Sequence, residues 1–123
     1  MLVGQRLLIV EDEFLIALDM QRTLEAAGAK DTVLARTLEE AATLGETLAD
    51  FDLVILPPPS AGDHHGLLDR IASAGLAIVV CSGFRGERSG HPFGDAEFVD
   101  KPFADDELVA ACERALARRN RVS

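Results

Sequence analysis

Basic residues are scarce in this chain. Twelve lysines and arginines stand against 21 aspartates and glutamates, giving a formal net charge of −9 and a pI near 4.7. So negative a surface repels phosphate backbones, which argues against broad nucleic-acid binding. Four of the twelve, Arg114, Arg118, Arg119 and Arg121, crowd near the C-terminus. A helix C-terminus matched to its dipole accounts for them most simply, and a small docking patch is the other reading. Cysteine is rarer still. Cys81 and Cys112 have no metal-ligand spacing and read as buried free thiols. No apolar run approaches ~20 residues, so no transmembrane helix is expected. Residues 1–5 lack the basic flank and cleavage site of a signal peptide. No internal repeat or low-complexity stretch appears. The expectation is a cytoplasmic, soluble, single domain over residues 1–123, with no membrane partner and with a homodimer left open.

What is present centres on Leu7-Leu8-Ile9-Val10-Glu11-Asp12-Glu13. Four apolar residues without alternation suit a strand buried on both faces, as in a parallel sheet. Three carboxylates follow at its carboxyl end, where open α/β sheets place their sites. Like charges in a row call for compensation by a cation, a lysine or water. Glu13 fits the acidic first turn of a helix, which leaves Glu11 and Asp12 as the site candidates.

Strands and helices then alternate. Strand one spans residues 5–10 and helix one residues 13–27, with Ile16, Met20, Leu24 and Ala27 as its inward stripe and Gly28 as its stop. Leu15 and Leu18 lie off that stripe, as scattered surface residues or as half of a partner-binding face. A short strand at 32–35 precedes a capping-box pair, Thr37 and Glu40, and a helix carrying Leu38, Ala41, Leu44 and Leu48. Residues 53–56 form a third apolar strand, ending at Pro57-Pro58-Pro59, which favours stiff extended backbone. After a loop at 60–66, Leu67, Leu68 and Ile71 mark a short helix that stops near Gly75. Residues 77–81 and 97–100 are strands four and five. The glycine- and proline-rich stretch 84–95 between them reads as a loop, and a last helix runs over 105–119. Right-handed βαβ crossovers put all the strand ends on one edge. That edge collects Glu11, Asp12, Pro57, Ser82 and Lys101.

Two carboxylates at one strand end can hold a hard cation such as Mg2+. A hydroxyl at a second strand can donate to a phosphoryl oxygen, and a lysine at a third can pair with it. Such a set suits a phosphoryl group carried on a neighbouring aspartate.

At this point the chain resembles a response-regulator receiver domain of two-component signalling. The resemblance rests on Glu11-Asp12 after strand one, Ser82 after strand four and Lys101-Pro102-Phe103 after strand five, and covers nearly the whole chain. The stretch Val80-Cys81-Ser82-Gly83-Phe84 and the absent fourth helix resemble a subgroup whose signature reads Phe-Ala-Thr-Gly-Tyr there. The resemblance implies an α/β, doubly wound, five-stranded parallel sheet of flavodoxin-like order 2-1-3-4-5, with the fourth helix shortened or replaced by a loop. It implies Mg2+ at Glu11 and Asp12, phosphoryl sensing by Ser82 and Lys101, and a cis Lys101-Pro102 bond. It also implies a partner that is a histidine kinase, a phosphotransfer protein or another regulator, rather than an enzymatic role. With no output domain after the last helix, any effect is expected to pass through that partner.

One position departs from the pattern. The family's acceptor aspartate follows strand three directly, and here Leu53-Val54-Ile55-Leu56 is followed by Pro57. Proline offers neither a nucleophile nor an N–H, and the third metal carboxylate is lost with it, so Mg2+ affinity should fall. The expectation is a degenerate receiver acting through protein contacts. Asp52, at the far end of strand three, is ~16 Å from Pro57 and cannot substitute. Asp63, if its loop folds back, or Asp12, acting as nucleophile, would give the alternative of a phosphorylatable receiver. A flavodoxin-like ligand binder is the third reading, and it lacks a glycine-rich phosphate loop. His64, His65 and His91 invite a metal site with Asp63, although exposed loop histidines explain them as well. Ser82 also serves as a small turn residue, and Lys101 also serves to neutralise Glu11 and Asp12 with no phosphoryl group present.

Overall fold

A computed structural model describes residues 2–58, 65–82, 96–100 and 103–122. Five parallel strands, β1 (Arg6–Val10), β2 (Asp31–Ala35), β3 (Leu53–Leu56), β4 (Ala77–Ser82) and β5 (Glu97–Asp100), form one sheet in the order β2-β1-β3-β4-β5. The helices are α1 (Phe14–Ala26), α2 (Leu38–Ala42), α3 (His65–Ser73) and α4 (Asp105–Val122). This is the doubly wound arrangement expected from the alternation of elements. The loop expected at 84–95 lies outside the described residues.

The central strands are apolar along their whole length because both faces are covered. Leu7, Ile9, Leu53, Ile55, Val79, Cys81 and Val99 pack with α1 and α4 on one face, through Met20, Leu24, Leu108, Ala111, Cys112 and Ala115. Leu8, Val10, Val54, Leu56 and Val80 pack on the other face against Leu38, Ala41, Leu67 and Ile71. The period-two alternation of a strand thus feeds two cores from one sequence run.

Local chemistry sets the helix ends. Glu13 is the extended N-cap of α1 rather than its first turn, so the helix begins one residue later than the apolar pattern suggested. The stripe on α1 also shifts: Ala17, Met20 and Leu24 are buried, while Ile16 and Ala27 pack at the margin. The amide of Ala29 donates to the carbonyl of Leu24 (3.1 Å) and that of Gly28 to Glu25 (3.0 Å), a Schellman stop. Gly28 has φ +107, and a Cβ there would meet Val3 Cγ2 at 2.9 Å.

The second helix is shorter than its stripe predicts. It ends at Ala42, and Gly45–Asp50 continues as a 3-10 helix. Thr43 Oγ1 donates to the Glu40 carbonyl and Thr47 Oγ1 to the Leu44 carbonyl, each at 2.6 Å. These side chains occupy carbonyls near the break, and Gly45 turns to φ +57. Leu48 still reaches the core. The Thr37 cap is present, its Oγ1 accepting from the Glu40 amide at 3.0 Å.

Gly28→Ala combines a left-handed backbone with a close approach to Val3, and should lower unfolding free energy by about 2 kcal/mol in urea titration followed by circular dichroism.

Candidate functional site

Strand register places the site residues. β1 and β3 pair as Leu7 with Leu53, Leu8 with Val54 and Ile9 with Ile55. Carried two residues past the last pair, that register leads Glu11 and Pro57 to the same edge of the sheet. β3 and β4 pair through Leu56 and Val80, which sets Pro57 level with Cys81 and one step below Ser82. Ser82 is the last residue of β4 and pairs with Asp100 of β5. The carboxyl edge of the sheet therefore brings together Glu11, Asp12, Pro57 and the backbone of Ser82. Lys101, Pro102 and Asp63, and with them His64 and His91, lie outside the described residues. Phe103, the third residue of the Lys-Pro-Phe motif, packs against the α1–α4 core.

The two acids differ in surroundings. Glu11 is 6% exposed. Its amide donates to the Ala35 carbonyl (3.0 Å), and its Oε2 accepts from the Glu13 amide (3.1 Å). A carboxylate at the entrance of α1 meets the positive end of the helix dipole. Asp12 is exposed. Pro57 and Pro58, half-buried, occupy the end of β3 and present no side-chain oxygen. Among the described residues no group of three or more His, Cys, Asp or Glu side chains could hold a metal ion. A three-carboxylate magnesium site does not fit this donor set: two acids remain, and one oxygen of Glu11 is already engaged by a backbone amide.

Two other acids of the sheet, Asp52 and Glu97, are structural. Asp52, at the opposite edge, accepts from the Arg6 amide at 2.8 Å through Oδ2 and from Arg119 Nη1 at 3.0 Å through Oδ1. Its carbonyl accepts from the same Arg119 nitrogen at 3.0 Å and from the Ala77 amide at 3.0 Å. Glu97, 8% exposed, meets Arg114 at 2.9 Å and Arg118 at 2.7 Å. Three of the four C-terminal arginines thus fasten α4 to the sheet, a role that dipole matching alone does not describe.

Sequence reasoning named Leu15 but not its neighbour Phe14 in one surface feature. Phe14 and Leu15, at the start of α1 beside Asp12 and Glu13, are 69% and 78% exposed, whereas Leu18 is half-buried. The signal was present as two apolar residues directly after an acidic run.

No family model and no curated relative matches the sequence. Solved structures do. The response regulator PhyR from Brucella abortus aligns with TM-score 0.77 and 28% identity, over 98% of this chain and 51% of that one. A receiver protein from Sinorhizobium medicae aligns with TM-score 0.73 and 23% identity, over 94% of this chain and 97% of that one. The chain has the fold of a response-regulator receiver domain. A CheY-like receiver from Methanospirillum hungatei, 17% identical over 98% of this chain and 99% of that one, superposes with TM-score 0.73. The receiver sheet is thus kept at very low identity. The chain spans nearly the full length of two of these proteins and about half of the third. No helix among the described residues is long and apolar enough to cross a membrane.

Asp52→Ala removes an acceptor that joins β1, β3 and α4, and should destabilise the receiver by roughly 1–3 kcal/mol in urea denaturation.

Proposed function

We propose that this receiver is degenerate and works in phosphorelay signalling by protein contact, without accepting a phosphoryl group at the end of strand three. The observation that supports the reading is that Pro57 follows β3 directly, at the edge toward which the β1–β3 register also leads Glu11. A pyrrolidine ring cannot attack phosphorus and cannot ligate a metal. Glu11 and Asp12 keep a residual and weak affinity for Mg2+, and Ser82 and Lys101 are the phosphoryl-sensing equivalents, left without a phosphoryl group to sense. Lys101 with the acids would then act as a fixed electrostatic lock that holds one conformation. The reading involves no enzymatic turnover. The domain boundary is taken as residues 1–123, the whole chain.

The partner would be a histidine kinase, a phosphotransfer protein or another regulator. Phe14 and Leu15 support a contact at the start of α1, since adjacent exposed apolar side chains beside carboxylates suit a partner with an apolar centre and a basic rim.

One observation favours a second reading. Asp12 is exposed at the carboxyl edge, close to Pro57, and would be free to act as a nucleophile in place of the missing aspartate. Asp63 is the other substitute that the sequence offers.

Incubation with acetyl phosphate and Mg2+, followed by intact mass spectrometry, separates the two. The expected result is an unchanged mass. A stoichiometric phosphoryl adduct, lost in Asp12→Ala or Asp63→Ala, favours the second reading and defeats the first. The metal gives an independent measure. Amide shifts of residues 11–13 should move with Mg2+ only at high concentration, and Pro57→Asp, which restores a third carboxylate, should tighten binding at least about tenfold. Equal affinity in the two proteins would show that Pro57 does not occupy the ligand position.

A further inference from the structure

Cys81 and Cys112 take no part in the site, yet the fold places them together. Cys81 shares a face of β4 with Ala77 and Val79, and Cys112 belongs to the inward stripe of α4 with Leu108, Ala111 and Ala115; all pack in one core. Neither is joined in a disulfide. Their heights in the structure follow from two ties. Arg119 donates to the Asp52 carbonyl, which also accepts from the Ala77 amide, so Arg119 sits at the foot of β4. From there Cys112 is seven helical residues up, ~10 Å, and Cys81 is four strand residues up, ~13 Å. The second tie agrees. Arg114 holds Glu97, which pairs in register with Val79, and Cys112 lies about half a turn above Arg114. α4 packs directly on β4. Ala111 and Ala115 flank Cys112 and bring little bulk to the seam, whereas a disulfide needs Cα atoms within roughly 7 Å.

We propose that Cys81 and Cys112 form an oxidation site, a thiol pair across the seam between α4 and β4 that a small-molecule disulfide converts into an intramolecular disulfide. Cys81, 4% exposed against 0% for Cys112, reacts first. Its thiolate attacks one sulfur of the reagent and expels the other as a thiolate, leaving a mixed disulfide. The Cys112 thiolate then attacks the Cys81 sulfur and expels the second reagent thiolate. The reagent disulfide is reduced to two thiols, and the protein loses two hydrogens. Burial pushes the Cys112 thiol up to about 12, with Cys81 and Glu113 adding to the effect, so closure is slow in the folded protein. The product fastens α4 to the strand that ends in Ser82. This inference stands independently of whether the receiver accepts a phosphoryl group.

The test exposes the folded, reduced chain to oxidised glutathione overnight, with intact mass and peptide mapping after acid quench. The expected product is monomeric, about 2 Da lighter, with the Cys81 and Cys112 peptides linked. Cys112→Ser, checked for native circular dichroism, should instead retain one glutathionyl group at Cys81. A wild-type chain that stays fully reduced, carries two separate glutathionyl groups, or links to a second copy overturns the proposal.

Discussion

The fold depends on two strands that have no solvent face. β1 and β3 are covered on both sides, so every position from Leu7 to Val10 and from Leu53 to Leu56 must be apolar. A charge on either strand has nowhere to go until the chain leaves the sheet. That constraint drives the acids to the strand ends and makes the carboxyl edge the place where chemistry concentrates. The same constraint makes the residue after β3 decisive. In a parallel sheet the neighbours of that residue are set by register, and here the register leads a proline and a buried glutamate to the same edge.

The two edges of the sheet use their acids differently. At the amino edge, Asp52 spends both carboxylate oxygens and its carbonyl on backbone amides and Arg119. Every acceptor serves cohesion. At the carboxyl edge, Asp12 stands exposed and Glu11 turns inward to the entrance of α1. A site needs acceptors left available, and among these three acids Asp12 is the exposed one.

Much of this was legible in the sequence because period and punctuation agreed. Unbroken apolar runs identified β1, β3 and β4. Gly28 marked the end of α1, and the alternation of strands and helices predicted the order that the sheet adopts. The Glu11, Pro57 and Ser82 positions followed from strand ends alone. The misses came from contacts that pattern does not encode. Thr43 and Thr47 bond back to carbonyls and break the second helix inside an intact apolar stripe. The C-terminal arginines looked like dipole partners until Glu97 and Asp52, distant in sequence, proved to be their counter-charges. Phe14 went unnamed because a stripe is judged from its buried members, and exposure at a helix start depends on what the neighbouring elements leave uncovered.

The truncated second helix bears on the rim of the sheet. β2 is an edge strand, and a flat apolar rim would recruit strands from other molecules. This one is blunted from several directions. Exposed Asp31 opens it, exposed Arg36 follows it, and Thr32 is tied sideways to α1 by Gln21 (2.8 Å) and Glu25 (3.0 Å). Val33 is its one large apolar side chain that is exposed, at 36%. Five polar side chains, Asp31, Thr32, Arg36, Gln21 and Glu25, therefore guard a margin that the short second helix leaves open.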